Sequence, residues 1–99
     1  MEIKINNDGN FSTINVFGEI DLNNSNELRV KLNDELNSGK SIKLNLAEVT
    51  YIDSSGVSCL VEATQISKKN NTEFSIIDLS ESVKKVLELA YLDKILPIK

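Results

Sequence analysis

The stretch Leu44-Asn45-Leu46-Ala47-Glu48-Val49-Thr50-Tyr51-Ile52-Asp53-Ser54-Ser55-Gly56-Val57 decides how this chain folds. Ile42, Leu44 and Leu46 alternate with Lys43 and Asn45. That is the period of a strand with one buried face, and it predicts a strand over 41–46. Val49 and Ile52 carry the apolar path on to Asp53. From Ser55 the period becomes helical: Val57, Leu60, Val61 and Thr64 share a face, widened by Cys59, Ala63 and Ile66. Asp53-Ser54-Ser55-Gly56 therefore stands where a strand gives way to a helix. The first N–H groups of a helix lack partners, and Asp and Ser side chains accept from them. Plain capping is one reading of these residues. A switch is the other. A phosphate on Ser55 would bring about −1.5 to −2 charges and three acceptor oxygens. Helix N-termini tolerate such charge, so the fold would persist while the surface changed what it binds. Gly56 would let a partner's backbone approach closely.

The same logic extends outward. Ile3 and Ile5 alternate in a strand over 2–6, and Asn7-Asp8-Gly9-Asn10 is turn chemistry. A second strand over 11–18 puts Ile14 and Val16 on one face and Phe11 and Phe17 on the other. The two should pair as an antiparallel hairpin, which Gly18-Glu19-Ile20-Asp21 ends. Asn23, Asn24 or Ser25 can cap a first helix carrying Leu28, Leu32 and Leu36, with Ser38-Gly39 as its stop. Lys68-Lys69-Asn70-Asn71 close the second helix, with cations suited to its C-terminus. Residues 73–77 read as a short strand. Ser80 caps a last helix whose face runs Val83, Val86, Leu87, Ala90 and Tyr91, and Ile95 and Ile98 suggest a final extended segment. The order β-β-α-β-α-β-α predicts one α/β domain over residues 1–99. Its sheet would be mixed and mostly parallel, with an N-terminal β-hairpin and about three helices. Sites in such sheets gather where strand C-termini meet helix N-termini. Asp53 lies at that edge, and Asp21 falls near it.

The chain has 99 residues, no histidine, no tryptophan and one cysteine. Cys59 cannot form an internal disulfide, which fits a reducing compartment, and its apolar surroundings predict core packing. The N-terminus reads as neither leader nor anchor, and no apolar run approaches the ~18 residues of a membrane span. A cytoplasmic protein is expected. The net charge is −4, with the lysines scattered or in pairs. A nucleic-acid partner is disfavoured, because the phosphate backbone would meet an acidic surface. Enzyme readings lack parts. A serine nucleophile needs a base, zinc needs thiolate or imidazole ligands, and no phosphate loop occurs. No cofactor or metal is expected.

The run from Leu44 to Val57 resembles the signature of STAS domains, the sulfate transporter and anti-sigma factor antagonist domains. It is most similar to the free-standing bacterial anti-sigma factor antagonists. Phe17-Gly18-Glu19-Ile20-Asp21 is similar to the family's Gly-x-hydrophobic-Asp segment. Ser82 to Leu89 and Leu92 to Leu96 resemble its closing helix and tail. The resemblance implies that Ser55 is the phosphoacceptor and that Asp53, Ser54, Gly56 and Asp21 belong to the switch surface. It implies a cycle in which the unphosphorylated domain binds an anti-sigma factor with serine kinase activity and frees the sigma factor. Phosphorylation ends that binding, and a PP2C-type phosphatase reverses it. The domain itself would catalyse nothing and would act as a monomer. The alternative the family offers is a non-switching STAS subunit of a transporter or stress-signalling assembly.

Overall fold

Four strands and three helices alternate after an opening hairpin. The computed structural model describes residues 1–99. The strands are β1 (Glu2–Asp8), β2 (Phe11–Ile20), β3 (Ser41–Ile52) and β4 (Phe74–Leu79). The helices are α1 (Ser25–Asn37), α2 (Ser54–Lys69) and α3 (Glu81–Leu89). The sheet runs β1-β2-β3-β4. β1 is antiparallel to β2, and the β2–β3 and β3–β4 pairs are parallel. This is the single mixed α/β domain that the order of elements predicted.

Alternation decides which sheet face is covered. Ile5 pairs Ile14, Ile14 pairs Leu44, and Leu44 pairs Ile76, so these four share a face. Ile14, Leu44 and Ile76 on that face join Leu28, Leu32 and Leu36 of α1, Leu60 of α2 and Val83 of α3 in one buried cluster, while Ile5 on the edge strand stays exposed. Cys59 is in the cluster, as its apolar neighbours predicted. The opposite face carries Phe11 and Phe17. Lys43 and Lys4 lie over these rings, with ammonium nitrogens 4.8 and 5.5 Å from the ring centres.

Several boundaries differ from the sequence reading. Asp8 pairs with Phe11, so β1 runs past residue 6 and the turn shrinks to Gly9-Asn10. β3 continues beyond Leu46 to Ile52. Its apolar residues lose strict alternation there because the register with β2 shifts between Asn15 and Phe17 and again between Gly18 and Glu19. Each irregularity resets which face the next residue meets. Leu46, Val49 and Ile52 thus all point inward although each lies three positions from the next. The Asn45 carboxamide oxygen accepts from the Ala47 N–H at 2.9 Å, satisfying a donor freed by the first irregularity. β4 spans 74–79 rather than 73–77.

The α3 C-terminus corrects a second expectation. Tyr91 is not on the helix face but 84% exposed. Its φ is 58°, and the Leu92 N–H donates to the Leu87 carbonyl while the Tyr91 N–H donates to that of Glu88. This is the Schellman closure, with Tyr91 at the left-handed position that glycine usually fills. Gly39 and Asn71 hold the same position after α1 and α2. Leu96 is buried in place of Ile95, and Ile98 forms one bridge with Ile76 at the outer edge of β4. Ser80 caps α3 as predicted, accepting from the Val83 N–H at 3.2 Å. No helix is long and apolar enough to cross a membrane.

Candidate functional site

The C-terminal ends of β2 and β3 come level at the pair Ile20–Ile52. The Asp53 N–H donates to the Ile20 carbonyl at 3.2 Å, binding the two strand ends together just before α2 starts. Asp53 then leaves the strand in an extended conformation and becomes the N-cap. Its Oδ1 accepts from the Ser55 N–H at 2.9 Å and from the Gly56 N–H at 3.3 Å. The Ser55 hydroxyl donates to the same oxygen. The Val57 N–H donates to the Asp53 backbone carbonyl at 3.0 Å, completing the first turn.

The loop before α1 reaches the same place. The Leu22 N–H supports the Asp53 carboxylate. Asp21 does not join this cluster through its side chain. Its Oδ1 accepts from the Asn23 N–H at 3.0 Å, and its backbone oxygen accepts from Asn24 and Ser25. Asn24 was one of three candidate caps for α1. Its side chain makes no cap bond to the helix and ties the loop down instead, accepting from the Asp21 N–H and donating to the Glu19 carbonyl, both at 2.9 Å. The structure therefore brings Asp53, Ser55 and Gly56 into one hydrogen-bonded unit, with the Asp21 loop beside it.

Ser54 is exposed, and its carbonyl accepts from the Ser58 hydroxyl at 2.9 Å. It borders a shallow groove shared with Val57, Val61 and Leu92. Leu92 comes from the tail after α3, and nothing in its sequence spacing pointed there. Gly56 is buried. A Cβ at this position would stand 2.7 Å from Ile20 Cγ2 and 2.7 Å from Ile52 Cγ1. The close approach it permits is thus to its own strands. One turn on, the Cys59 sulfur lies 3.3 Å from the Ser25 carbonyl and 3.4 Å from that of Ser55, and burial pushes its thiol pKa up. It packs α1 against α2 as a protonated thiol.

The Ser55 hydroxyl is the leading cause that holds the Asp53 carboxyl below the ordinary carboxylate range, helped by the N–H groups of Gly56, Ser55 and Leu22. Two consequences follow. A carboxylate this well satisfied is a weaker proton acceptor than a free one. The hydroxyl bonded to it is fixed in orientation. The second consequence concerns acid. The folded-state pKa lies below the unfolded one, so on acidification the unfolded chain binds the proton first. The cap's stabilisation is full at neutral pH and is lost as pH falls through and below the carboxylate range. Urea midpoints of the parent and Asp53→Asn, measured from pH 7 to 3, should start close together and diverge as pH drops, with the parent falling further. Asp53→Ala should lower the midpoint at pH 7, whereas Asn, an equally good cap, should hold it near the parent value. Parallel pH curves for parent and Asp53→Asn would contradict this.

The STAS domain model matches residues 2–99. The chain belongs to the STAS domain family. The anti-sigma-B factor antagonist of Bacillus subtilis (strain 168) is 26% identical over 98 residues, covering 99% of this chain and 90% of that protein. A putative anti-sigma factor antagonist from Thermotoga maritima superposes with TM-score 0.86 at 26% identity, covering 97% of this chain and 84% of that one. The anti-sigma factor antagonist SpoIIAA in its unphosphorylated form gives TM-score 0.84 at 20% identity, over 99% of this STAS domain and 86% of that chain. Its phosphorylated form gives 0.78 at 18%, over 99% and 89%. These last two likenesses show the fold.

Proposed function

We propose that this STAS domain is an anti-sigma factor antagonist, a binding module switched by phosphorylation of Ser55. The observation that carries this reading is the oriented Ser55 hydroxyl. It is held by Asp53 at an accessible helix start, on the sheet edge where sites of this fold class gather. The relatives named as anti-sigma factor antagonists support the choice of partner. In this reading the unphosphorylated domain binds an anti-sigma factor that is also a serine kinase, and transcription proceeds from the freed sigma factor. The kinase transfers a phosphoryl group to Ser55 and the complex parts. A PP2C-type phosphatase restores the active form. The domain works as a monomer in the cytoplasm and regulates without catalysing. Asp21 and Ser54 lie on the contact surface, and Gly56 seats the helix that displays Ser55.

Incubation with the anti-sigma kinase and ATP tests the assignment. Ser54→Ala should be phosphorylated as fully as the parent. Ser55→Ala should take up no phosphate and should stay folded, since only one side-chain donor to Asp53 is lost. Phosphate on Ser55→Ala, or its loss from Ser54→Ala, would move the site to Ser54.

A further inference from the structure

We infer that Asp53 registers phosphorylation of Ser55 inside the fold: carboxylate and phosphate compete for the same helix N–H groups, so the modified domain has a loosened first turn of α2. The inference rests on the reading of Ser55 as phosphoacceptor. Helix N-termini favour a phosphate because their N–H groups are free. Here they are not free. One oxygen of Asp53 already accepts from the Ser55 and Gly56 N–H groups and from the Ser55 hydroxyl.

Phosphorylation removes the hydroxyl bond and sets a phosphate in competition for the other two. The Oγ–H bond of Ser55 breaks, as does the bond from the terminal phosphorus of a nucleoside triphosphate to its bridging oxygen. An Oγ–P bond forms. The nucleoside diphosphate leaves with the electron pair of the broken P–O bond, and the proton passes to water. Oγ is then an ester oxygen with no hydrogen to donate, so its contact with Asp53 Oδ1 turns from donor–acceptor to acceptor–acceptor. The phosphate also sets up to two negative charges beside the carboxylate. Either the phosphate swings away from the helix start, or Asp53 yields the N–H groups. In both cases the hydroxyl bond from Ser55 to Asp53 is gone, and in the second the first turn loses its cap bonds as well. Gly56, wedged against Ile20 and Ile52, keeps the turn from shifting as a body to relieve the conflict.

The test installs phosphoserine at position 55 during synthesis of the full chain, in the parent and in Asp53→Asn. Asparagine caps as well as aspartate but carries no charge. Urea midpoints are then measured for all four proteins. Phosphoserine should shift the parent midpoint downward and shift that of Asp53→Asn less. Equal shifts in both backgrounds, or no downward shift in the parent, overturn the inference. Amide exchange at Ser55 and Gly56 gives an independent reading in the parent alone: faster exchange with phosphoserine is expected, and equal or slower exchange overturns the idea. Because the phosphate is built in, these results stand whether or not cells modify Ser55. A chain never phosphorylated in cells would remove the proposed function and leave this coupling intact.

Discussion

Gly56→Val is expected to lower the stability of the domain by about 3 kcal/mol, the upper end of the usual range for overpacking a core. Gly56 is not among the glycines at positive φ, so its conformation suits any residue. Helix propensity alone would make valine or alanine an improvement. Space decides against them. A single added carbon would stand 2.7 Å from both Ile20 and Ile52. Those side chains are buried at the level strand ends that fix α2 in place, and both are branched at Cβ. They have little room to turn aside. A loss of about 3 kcal/mol is roughly a fifth to three-fifths of the about 5–15 kcal/mol that a domain of this size carries. Gly56→Ala should lose less, because propensity offsets part of the clash. Urea unfolding with an unchanged slope is the measurement. A midpoint unchanged or raised in Gly56→Val would show that the helix start is plastic, and the fixed seat of Ser55 would go with it.

The second large effect falls on binding. Ser55→Asp should weaken the complex with the anti-sigma factor by about 100-fold, and phosphoserine by more, while Ser55→Ala should bind as the parent does. About 100-fold corresponds to roughly 2.7 kcal/mol, within reach of one charge that loses hydration or meets like charge at an interface. The substituted carboxylate lies beside Asp53, so two negative groups face the partner where one did before. Asp carries less charge than a phosphate, which sets the order of the two effects. Titration calorimetry of the three proteins with the anti-sigma factor reads the result. Parent-like affinity for Ser55→Asp and for phosphoserine would end the charge-switch account.

Much of this was legible in the sequence because it depends on local chemistry. Leu28, Leu32 and Leu36 recur every four residues and all three are buried. Asp53 precedes a helical period and caps it, and Ser80 does the same for α3. The length of β3 was not legible. Its inward residues Leu46, Val49 and Ile52 follow a spacing of three, set by how β3 pairs with β2, and no local pattern announces such a shift. Tyr91 misled for a related reason. It continues the apolar period of α3, but the helix closes on Leu87 and Glu88 first and leaves the tyrosine in a left-handed conformation outside. At the site, the sequence pointed to Asp53, Ser55 and Gly56 but mistook what Gly56 is for. It was read as room for a partner, while the neighbours that require it, Ile20 and Ile52, lie on two strands that only tertiary structure brings level. Leu22, beside Asp53 in space, is 31 residues away in sequence and carries no signal of its own.

The most direct test of the switch is the phosphorylation state of Ser55 in the cells that make this protein. Peptide mapping by mass spectrometry should find a fraction of the chain heavier by about 80 Da, one phosphate group, with the added mass on Ser55 and its share varying with growth condition. A chain unmodified under every condition, or modified only at Ser54, would contradict the account, and Asp53-Ser54-Ser55-Gly56 would then be a helix cap and nothing more.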